Sequence, residues 1–362
     1  MAFPFYHLLA FLVSAAIVLF LTPLVRKLGL ASGKYDLPGG RKVHTQPMVR
    51  LGGVAIFLGV MAALLLVWFA GGFLGADGKP LDPVADNSIW GVTLGGIAFF
   101  AIGLVDDLLG LSAISRLIAQ IVVASAAWYV GVDIAFLSLP FVETLDLGFV
   151  QDGIIQLPDW LSLIVTIFWL VGMANAINWI DGLDGLAAGV SGIAAVVMMA
   201  VSLYMGQPAA ALIVAALAGG AIAFLRYNFN PAQIFMGDGG AYFIGFTLAG
   251  VGVIGLVKGV TTVAVLLPSL TLAVPIIDMS TVILLRLRKG LSPFVADKRH
   301  LHHRLLNAGF SHRFTVVFIY VLALWVGSLA MAFSGLEIGI PFAFASTALL
   351  SYTGWRAVRL AK

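Results

Sequence analysis

The chain has no cysteine among its 362 residues, which excludes disulfides, a thiolate nucleophile, and zinc or iron–sulfur sites built from cysteine. Charge is scarce as well: Asp, Glu, Lys and Arg make up 10% of the residues, against about 25% in a soluble globular domain. Apolar side chains fill 61% of the sequence, and the mean hydropathy is +1.06. Such a composition excludes a disordered chain and leaves little room for a soluble domain. A bilayer-crossing helix needs about 20 mostly apolar residues, so the chain reads as a polytopic membrane protein. No internal repeat, low-complexity tract or linker divides it, and 1–362 is taken as one multi-pass membrane domain.

Apolar windows bounded by Gly, Pro or charge predict an all-α bundle of about eleven transmembrane helices. They fall at 5–25, 52–70, 88–105, 115–131, 160–177, 184–204, 208–226, 240–257, 261–285, 314–333 and 337–356. The first is not read as a cleaved signal peptide, because Arg26 and Lys27 follow the apolar run instead of preceding it. Sorting the 20 Lys and Arg by loop puts 18 on one side and leaves Lys79 and Lys258 opposite. By the positive-inside rule the N-terminus is then outside and the C-terminus cytoplasmic. The sequence pI near 9.2 follows from this topology, with no nucleic-acid partner implied. Of the two acidic outer loops, near 71–87 and 132–159, the second alternates apolar residues with turn formers and predicts a small external β-hairpin.

With that orientation, the remaining acids gather at cytoplasmic helix ends: Asp106 and Asp107 after span three, Asp181 and Asp184 after span five, Asp238 before span eight. One acid at a span end is ordinarily a solvated boundary residue. Five at one face, in Gly-rich turns without adjacent Lys, repel one another, and a divalent cation is the natural counter-charge. In NAINWIDGLDGLAAG, Asn175, Asn178 and Asp181 recur every three residues as a polar stripe, and two Asp-Gly pairs set a tight turn. Their oxygens are hard ligands suited to Mg²⁺, or Mn²⁺; the plain alternative is an interhelical hydrogen-bond knot. The adjacent Asp106 and Asp107 repel at a partly dry boundary, which suits one of them to taking a proton. NFNPAQIFMGDGG places Asp238 between glycines at a helix start, where backbone amides face metal or phosphate, while Asn228 and Phe235 either engage a base or simply pack.

The inner loop 286–313 carries RLRKG and DKRHLHHRLL. Its histidines invite a zinc reading, but Arg299 and Arg304 repel a cation and favour an anion such as a diphosphate; a solvated positive-inside loop is the third reading. The first inner loop adds Lys42 and His44, with the same two anion-side alternatives. Acidic, metal-capable turns and basic loops at one face suit phosphoryl transfer between a soluble phosphorylated compound and a lipid held between helices.

RKVH, RLGG, the VDD closing span three, NAINWIDGLDGLAAG, NPAQIFMGDGG, PIID and RHLHHRLL together resemble the polyprenyl-phosphate N-acetylhexosamine-1-phosphate transferases, over residues 20–310. Within that family, HLHHRLL is similar to the bacterial branch that uses UDP-N-acetylglucosamine and undecaprenyl phosphate, because Leu301 interrupts the three consecutive histidines of the muramoyl-pentapeptide branch. The resemblance implies that Asp106 acts on the lipid phosphate, with Asp107 and Asp181 also catalytic. It implies Mg²⁺ at Asp238 with Asn175 as a second contact, and a UDP-N-acetylhexosamine pocket in which Asp181 and Asp184 lie, with Asn178 counted among the substrate-binding residues. His300, His302, His303 and Arg304 would meet the diphosphate or sugar. A Lys common after the DD pair is replaced here by Leu108, Leu109 and Gly110, and Arg116 is the first basic residue that follows.

The competing readings are an ion-coupled transporter, for which the intramembrane Asp278 speaks, and a CDP-alcohol phosphatidyltransferase, whose Arg and downstream aspartates are missing from 186–200. Homodimerisation, the sugar accepted and the polymer supplied are left open by the sequence.

Overall fold

Long apolar runs with their breakers at the ends form helices throughout the computed structural model, which describes residues 5–36, 47–138, 150–151, 154–257, 266–288, 290 and 300–360. In chain order these are α1 (Phe5–Ala31), α2 (Gly52–Phe69), α3 (Pro83–Leu109), α4 (Ala113–Tyr129), α5 (Asp159–Ile180), α6 (Leu186–Tyr204) and α7 (Pro208–Asn228). There follow α8 (Gly237–Val251), which runs on as a π-helical turn Gly252–Val257, then α9 (Leu266–Thr271), α10 (Ala273–Leu287), α11 (Leu301–Asn307), α12 (His312–Phe333) and α13 (Gly339–Leu360).

Among the described residues, eight helices are long and apolar enough to cross a membrane: α1, α2, α3, α5, α6, α7, α8 with its π-turn, and α12. Three expected spans differ. The fourth, α4, is apolar but has only 17 residues. The eleventh, α13, ends in the polar stretch SYTGWRAVRL. The ninth is not one helix: α9 and α10 are interrupted at Leu272, because Pro275 has no N–H to offer the carbonyl of Thr271 four residues back. Its expected start, 258–265, lies outside the described residues.

Leu12, Phe20, Leu66, Val122 and Phe168 stand exposed around the bundle. Large apolar side chains face outward in this way when the surroundings are lipid. In the loop after α4, β1 (Phe136–Ser138), β2 (Val150–Gln151) and β3 (Ile154–Gln156) form a small antiparallel sheet in the order β1-β3-β2, with Ile155 opposite both Leu137 and Val150. The turn of the expected hairpin, at 139–149 or 152–153, lies outside the described residues.

The helix that positions the site is α8, buried along nearly its whole length. Three neighbours approach its backbone at glycine. A Cβ on Gly53 of α2 would lie 2.2 Å from the Gly240 nitrogen, one on Gly103 of α3 2.4 Å from the Asp238 carbonyl oxygen, and one on Gly245 of α8 2.6 Å from Ala174 Cα of α5. Small residues permit this approach, and with it dense packing and polar contacts between helices. Gly103→Ala is therefore expected to force α3 and α8 apart at a cost of about 1–3 kcal/mol. The measurement is the thermal unfolding midpoint of the purified protein; an unchanged midpoint would contradict the packing.

Candidate active site

The C-terminal ends of α3 and α5 meet the N-termini of α4, α6 and α8 at one end of the bundle, and four of the five expected acids come together there. Asp238, in the first turn of α8, is the centre. Its Oδ1 accepts a hydrogen bond from Asn178 Nδ2 at 2.9 Å and lies 3.7 Å from the Arg50 guanidinium; its Oδ2 accepts from Arg116 Nη1 at 3.2 Å. The same Arg116 nitrogen also donates to Asp106 Oδ2, and the Leu111 amide donates to Asp106 Oδ1 at 2.7 Å. Asp106 therefore faces a cation, not only its like-charged neighbour.

Asp107 is placed differently from Asp106. Its Oδ1 and Oδ2 accept from the amides of Asp238, at 3.0 Å, and Gly239, at 2.9 Å. Both oxygens thus cap the unpaired amides at the start of α8, where negative charge also suits the helix dipole. Gly237, with φ +79°, makes the turn into α8 directly under this carboxylate, and a Cβ there would lie 2.0 Å from the Arg50 carbonyl oxygen. Asp107, expected as a catalytic acid, thus caps the start of α8 beside Asp238.

The stripe on α5 splits. Asn178 reaches Asp238, whereas Asn175 Nδ2 donates to Gln120 Oε1 of α4 and to the Val171 carbonyl, each at 2.8 Å. Asp181, just beyond the end of α5, donates its amide to the Asn178 carbonyl at 3.2 Å, and its carboxyl makes no hydrogen bond among the described residues. Burial pushes its carboxyl well above the usual carboxylate range; Asp238, Asp107 and Asp184 add to the effect and Arg50 opposes it.

Asp184 and Asn228 join loops and do not point into the centre. Asp184 Oδ2 accepts from Asn230 Nδ2 at 2.9 Å and from the Ala232 amide at 3.0 Å. Asn228, 2% exposed, accepts from the Gly185 amide through Oδ1 and donates to the Ile234 carbonyl through Nδ2. The two together stitch the Asp-Gly turn to the loop before α8, and Asn228, expected to engage a base, is bonded within the protein at both its oxygen and its nitrogen. Phe235 is half-buried in that loop, its backbone bonded to Val49 and Gly52.

The histidine motif also divides. His302 is 1% exposed, with Nε2 packed over Gly182, where a Cβ would lie 2.5 Å from that atom. Burial first, then the neighbouring His303 and His300, lower its pKa to about 3. A neutral, enclosed ring does not attract a diphosphate by charge. His300 is buried and hydrogen-bonded to Asp278. His303 is half-buried and Arg304 exposed on α11. Lys42 and His44 lie outside the described residues. Arg116, noted in the sequence only as a departure, and Arg50 are the cations at the centre. The signal for Arg116 was local: Gly110, at φ +71°, reverses the chain, and Ser112 caps α4 by accepting from the Ser115 amide, which brings the first turn of α4 back over the end of α3.

Asp278, on which the transporter reading depended, is buried and bonded to His300 and to the Leu301 amide at the start of α11. Comparison with known proteins gives a match of residues 89–256 to the model of glycosyl transferase family 4. The chain is 34% identical over 314 residues to a probable undecaprenyl-phosphate N-acetylglucosaminyl 1-phosphate transferase of Bacillus subtilis, covering 86% of this chain and 81% of that one. It is 37% identical over 342 residues to a decaprenyl-phosphate N-acetylglucosaminephosphotransferase of Mycolicibacterium smegmatis, covering 88% and 79%. A phospho-N-acetylmuramoyl-pentapeptide-transferase of Desulforudis audaxviator is 30% identical over 254 residues, covering 68% and 74%.

Proposed function

Because the chain belongs to glycosyl transferase family 4, we propose that it transfers N-acetylglucosamine 1-phosphate from UDP-N-acetylglucosamine to undecaprenyl phosphate at the cytoplasmic face of the cell membrane, releasing UMP. The product would start a cell-envelope polysaccharide. The observation that carries this reading is the meeting of Asp106, Asp181 and Asp238 with Arg50 and Arg116 at one end of the helix bundle. That is where a lipid-borne phosphate and a soluble nucleotide can reach each other. The division of Lys and Arg by loop supports the cytoplasmic side.

Phosphoryl transfer depends on positioning two anions and neutralising their charge. In this reading an oxygen of the lipid phosphate attacks the β-phosphorus of the nucleotide sugar, the bond from that phosphorus to the bridging oxygen breaks, and UMP leaves with the oxygen. Arg116 and Arg50 supply fixed positive charge against the approaching phosphates. A proton on the attacking phosphate passes to Asp106, which Arg116 and the Leu111 amide hold in place. The second pKa of a phosphate monoester is near 6, about that of phosphoserine, so a weak base suffices. His303 and Arg304 meet the donor's diphosphate or sugar, while His300 and His302 hold α11 to the Asp-Gly turn.

Mg²⁺, or Mn²⁺, fits the donors present: Asp238 is held by Asn178, and Asp181 beside it has an unbonded carboxyl. Among the described residues no group of three or more His, Asp or Glu is placed to hold an ion unaided. Mg²⁺ at phosphate sites takes one or two carboxylates and completes its shell with water and substrate oxygens, so Asp238 and Asp181 would be the protein's share. When bound, the ion would neutralise the diphosphate and favour departure of UMP.

A second assignment of the base has its own observation: the Asp181 carboxyl has no hydrogen bond among the described residues and holds a proton more readily than an ordinary carboxylate. Rate–pH profiles of Asp106→Asn and Asp181→Asn separate the two, since the variant that lacks the base loses most activity at low pH, where the phosphate is protonated. The central test is purified protein with radiolabelled UDP-N-acetylglucosamine and undecaprenyl phosphate. UMP and a labelled lipid are expected in equal amounts; no labelled lipid would refute the reading, and UMP released without lipid would indicate a covalent sugar-phosphate intermediate.

A further inference from the structure

Asp278 is a buried acid that the proposed chemistry does not use. It lies on α10, 5% exposed, three residues after Pro275. Its two oxygens have separate duties. Oδ1 accepts from the Leu301 amide at 2.6 Å, and Oδ2 lies 2.9 Å from His300 Nδ1. One proton is shared across this second contact, and it holds the His300 ring in one orientation. His300 and Leu301 stand at the start of α11, so Asp278 on α10 holds that helix at its N-terminal end.

The grip continues into the site. The His300 ring lies edge-on to Trp179 of α5, with centroids 5.9 Å apart, and stacks 5.6 Å from His302. Trp179 also lies under the Arg286 guanidinium at 5.7 Å, and it precedes Asp181 by two residues. His302 rests on Gly182. One carboxylate on α10 thus fixes two rings against the Asp-Gly turn, and those rings carry α11, on which His303 and Arg304 stand.

We propose that Asp278 is a positioning residue for the nucleotide-sugar donor: by holding His300 and the Leu301 amide it sets where His303 and Arg304 stand relative to the Asp181–Asp184 turn. It does not touch substrate, since both its oxygens are engaged. This rests on the reading that α11 meets the donor. Loss of the carboxylate then weakens donor recognition selectively, because Asp106, Arg116 and Asp238 share no contact with Asp278.

The test uses the full chain in lipid nanodiscs, comparing wild type with Asp278→Asn, His300→Gln and the double variant. A charged hydrogen bond lost from a buried pair is worth roughly tenfold or more in an equilibrium constant. The expected result for Asp278→Asn is a KM for UDP-N-acetylglucosamine raised about tenfold, with kcat and the KM for undecaprenyl phosphate little changed. Adding His300→Gln should raise it little further, because the two act through one contact. Amide hydrogen exchange over 301–307 should accelerate while that of α3 and α8 stays as in wild type. A wild-type donor KM with unchanged exchange would overturn the proposal, as would equal losses in kcat and both KM values, which indicate general damage. If wild type transfers nothing, the proposed function fails, and the exchange measurement still decides whether Asp278 holds α11. If Asp278→Asn does not fold, His300→Gln reports on the same contact from its other side, by the same readouts.

Discussion

Asp238→Asn is expected to give a folded, membrane-inserted protein whose rate of UMP release falls by at least about 10²–10³-fold, the scale seen when one group stabilising transition-state charge is removed. Asp238 collects Asn178, Arg116 and Arg50 around one carboxylate. An asparagine keeps the shape but turns either an NH₂ toward donors or one oxygen away from them, and it removes the charge that would hold a divalent cation. Activity should likewise disappear in excess chelator and return with added Mg²⁺ or Mn²⁺. Thermal unfolding with and without Mg²⁺ is the companion measurement: stabilisation by the ion in wild type and its absence in Asp238→Asn are expected. Full turnover by the variant, or by wild type in chelator, would remove Asp238 and the ion from the reaction.

Arg116 should show the second large effect. Its side chain is 27% exposed, and a single nitrogen, Nη1, contacts both Asp106 and Asp238. Arg116→Ala leaves two close carboxylates without their shared cation, and breaking a buried pair in this way costs about 3–5 kcal/mol, with the lower end apt for a partly exposed one. Its rate is expected to drop about 10²-fold or more, since the fixed positive charge facing the lipid phosphate is lost as well. Because one nitrogen makes both contacts, a lysine ammonium can stand in for it: Arg116→Lys should stay within about tenfold of wild type, whereas the neutral Arg116→Gln should behave as the alanine variant. Initial rates of the three variants at saturating substrates decide the matter. An Arg116→Ala enzyme as fast as wild type would mean that the ion pair only closes the turn between α3 and α4.

Much of this was legible in the residue order because it depends on local properties. Whether twenty consecutive side chains are apolar enough to leave water is a property of that segment alone, and eight of the expected spans are helices of the required length and hydropathy. Of the three exceptions the ninth is instructive, since the break at Leu272 has a local cause in Pro275 that an apolar window averages away. The gathering of acids was legible for the same reason: each stands at the end of a helix whose ends hydropathy marks.

What each acid does was not legible. Asp106 and Asp107 are adjacent and chemically identical, yet one is paired with Arg116 and the other caps α8. That difference follows from the glycine contacts that bring α3 against α8, and Asp107 meets the Asp238 amide across 131 residues of chain. Asn175 and Asn178 stand three residues apart on one helix, and the turn between them points one at Gln120 and the other at Asp238. His300 and His302 stand two residues apart in one motif, and the structure sets one against Asp278 and the other over Gly182. The sequence by itself determined the membrane-crossing helices, the basic end of the bundle and the set of polar groups available there, since burial in lipid is decided segment by segment. Only the tertiary structure decided which of those groups are engaged by backbone amides, which are ion-paired and which remain unbonded, because a hydrogen bond depends on ångström-scale distances between helices that meet far apart in the chain.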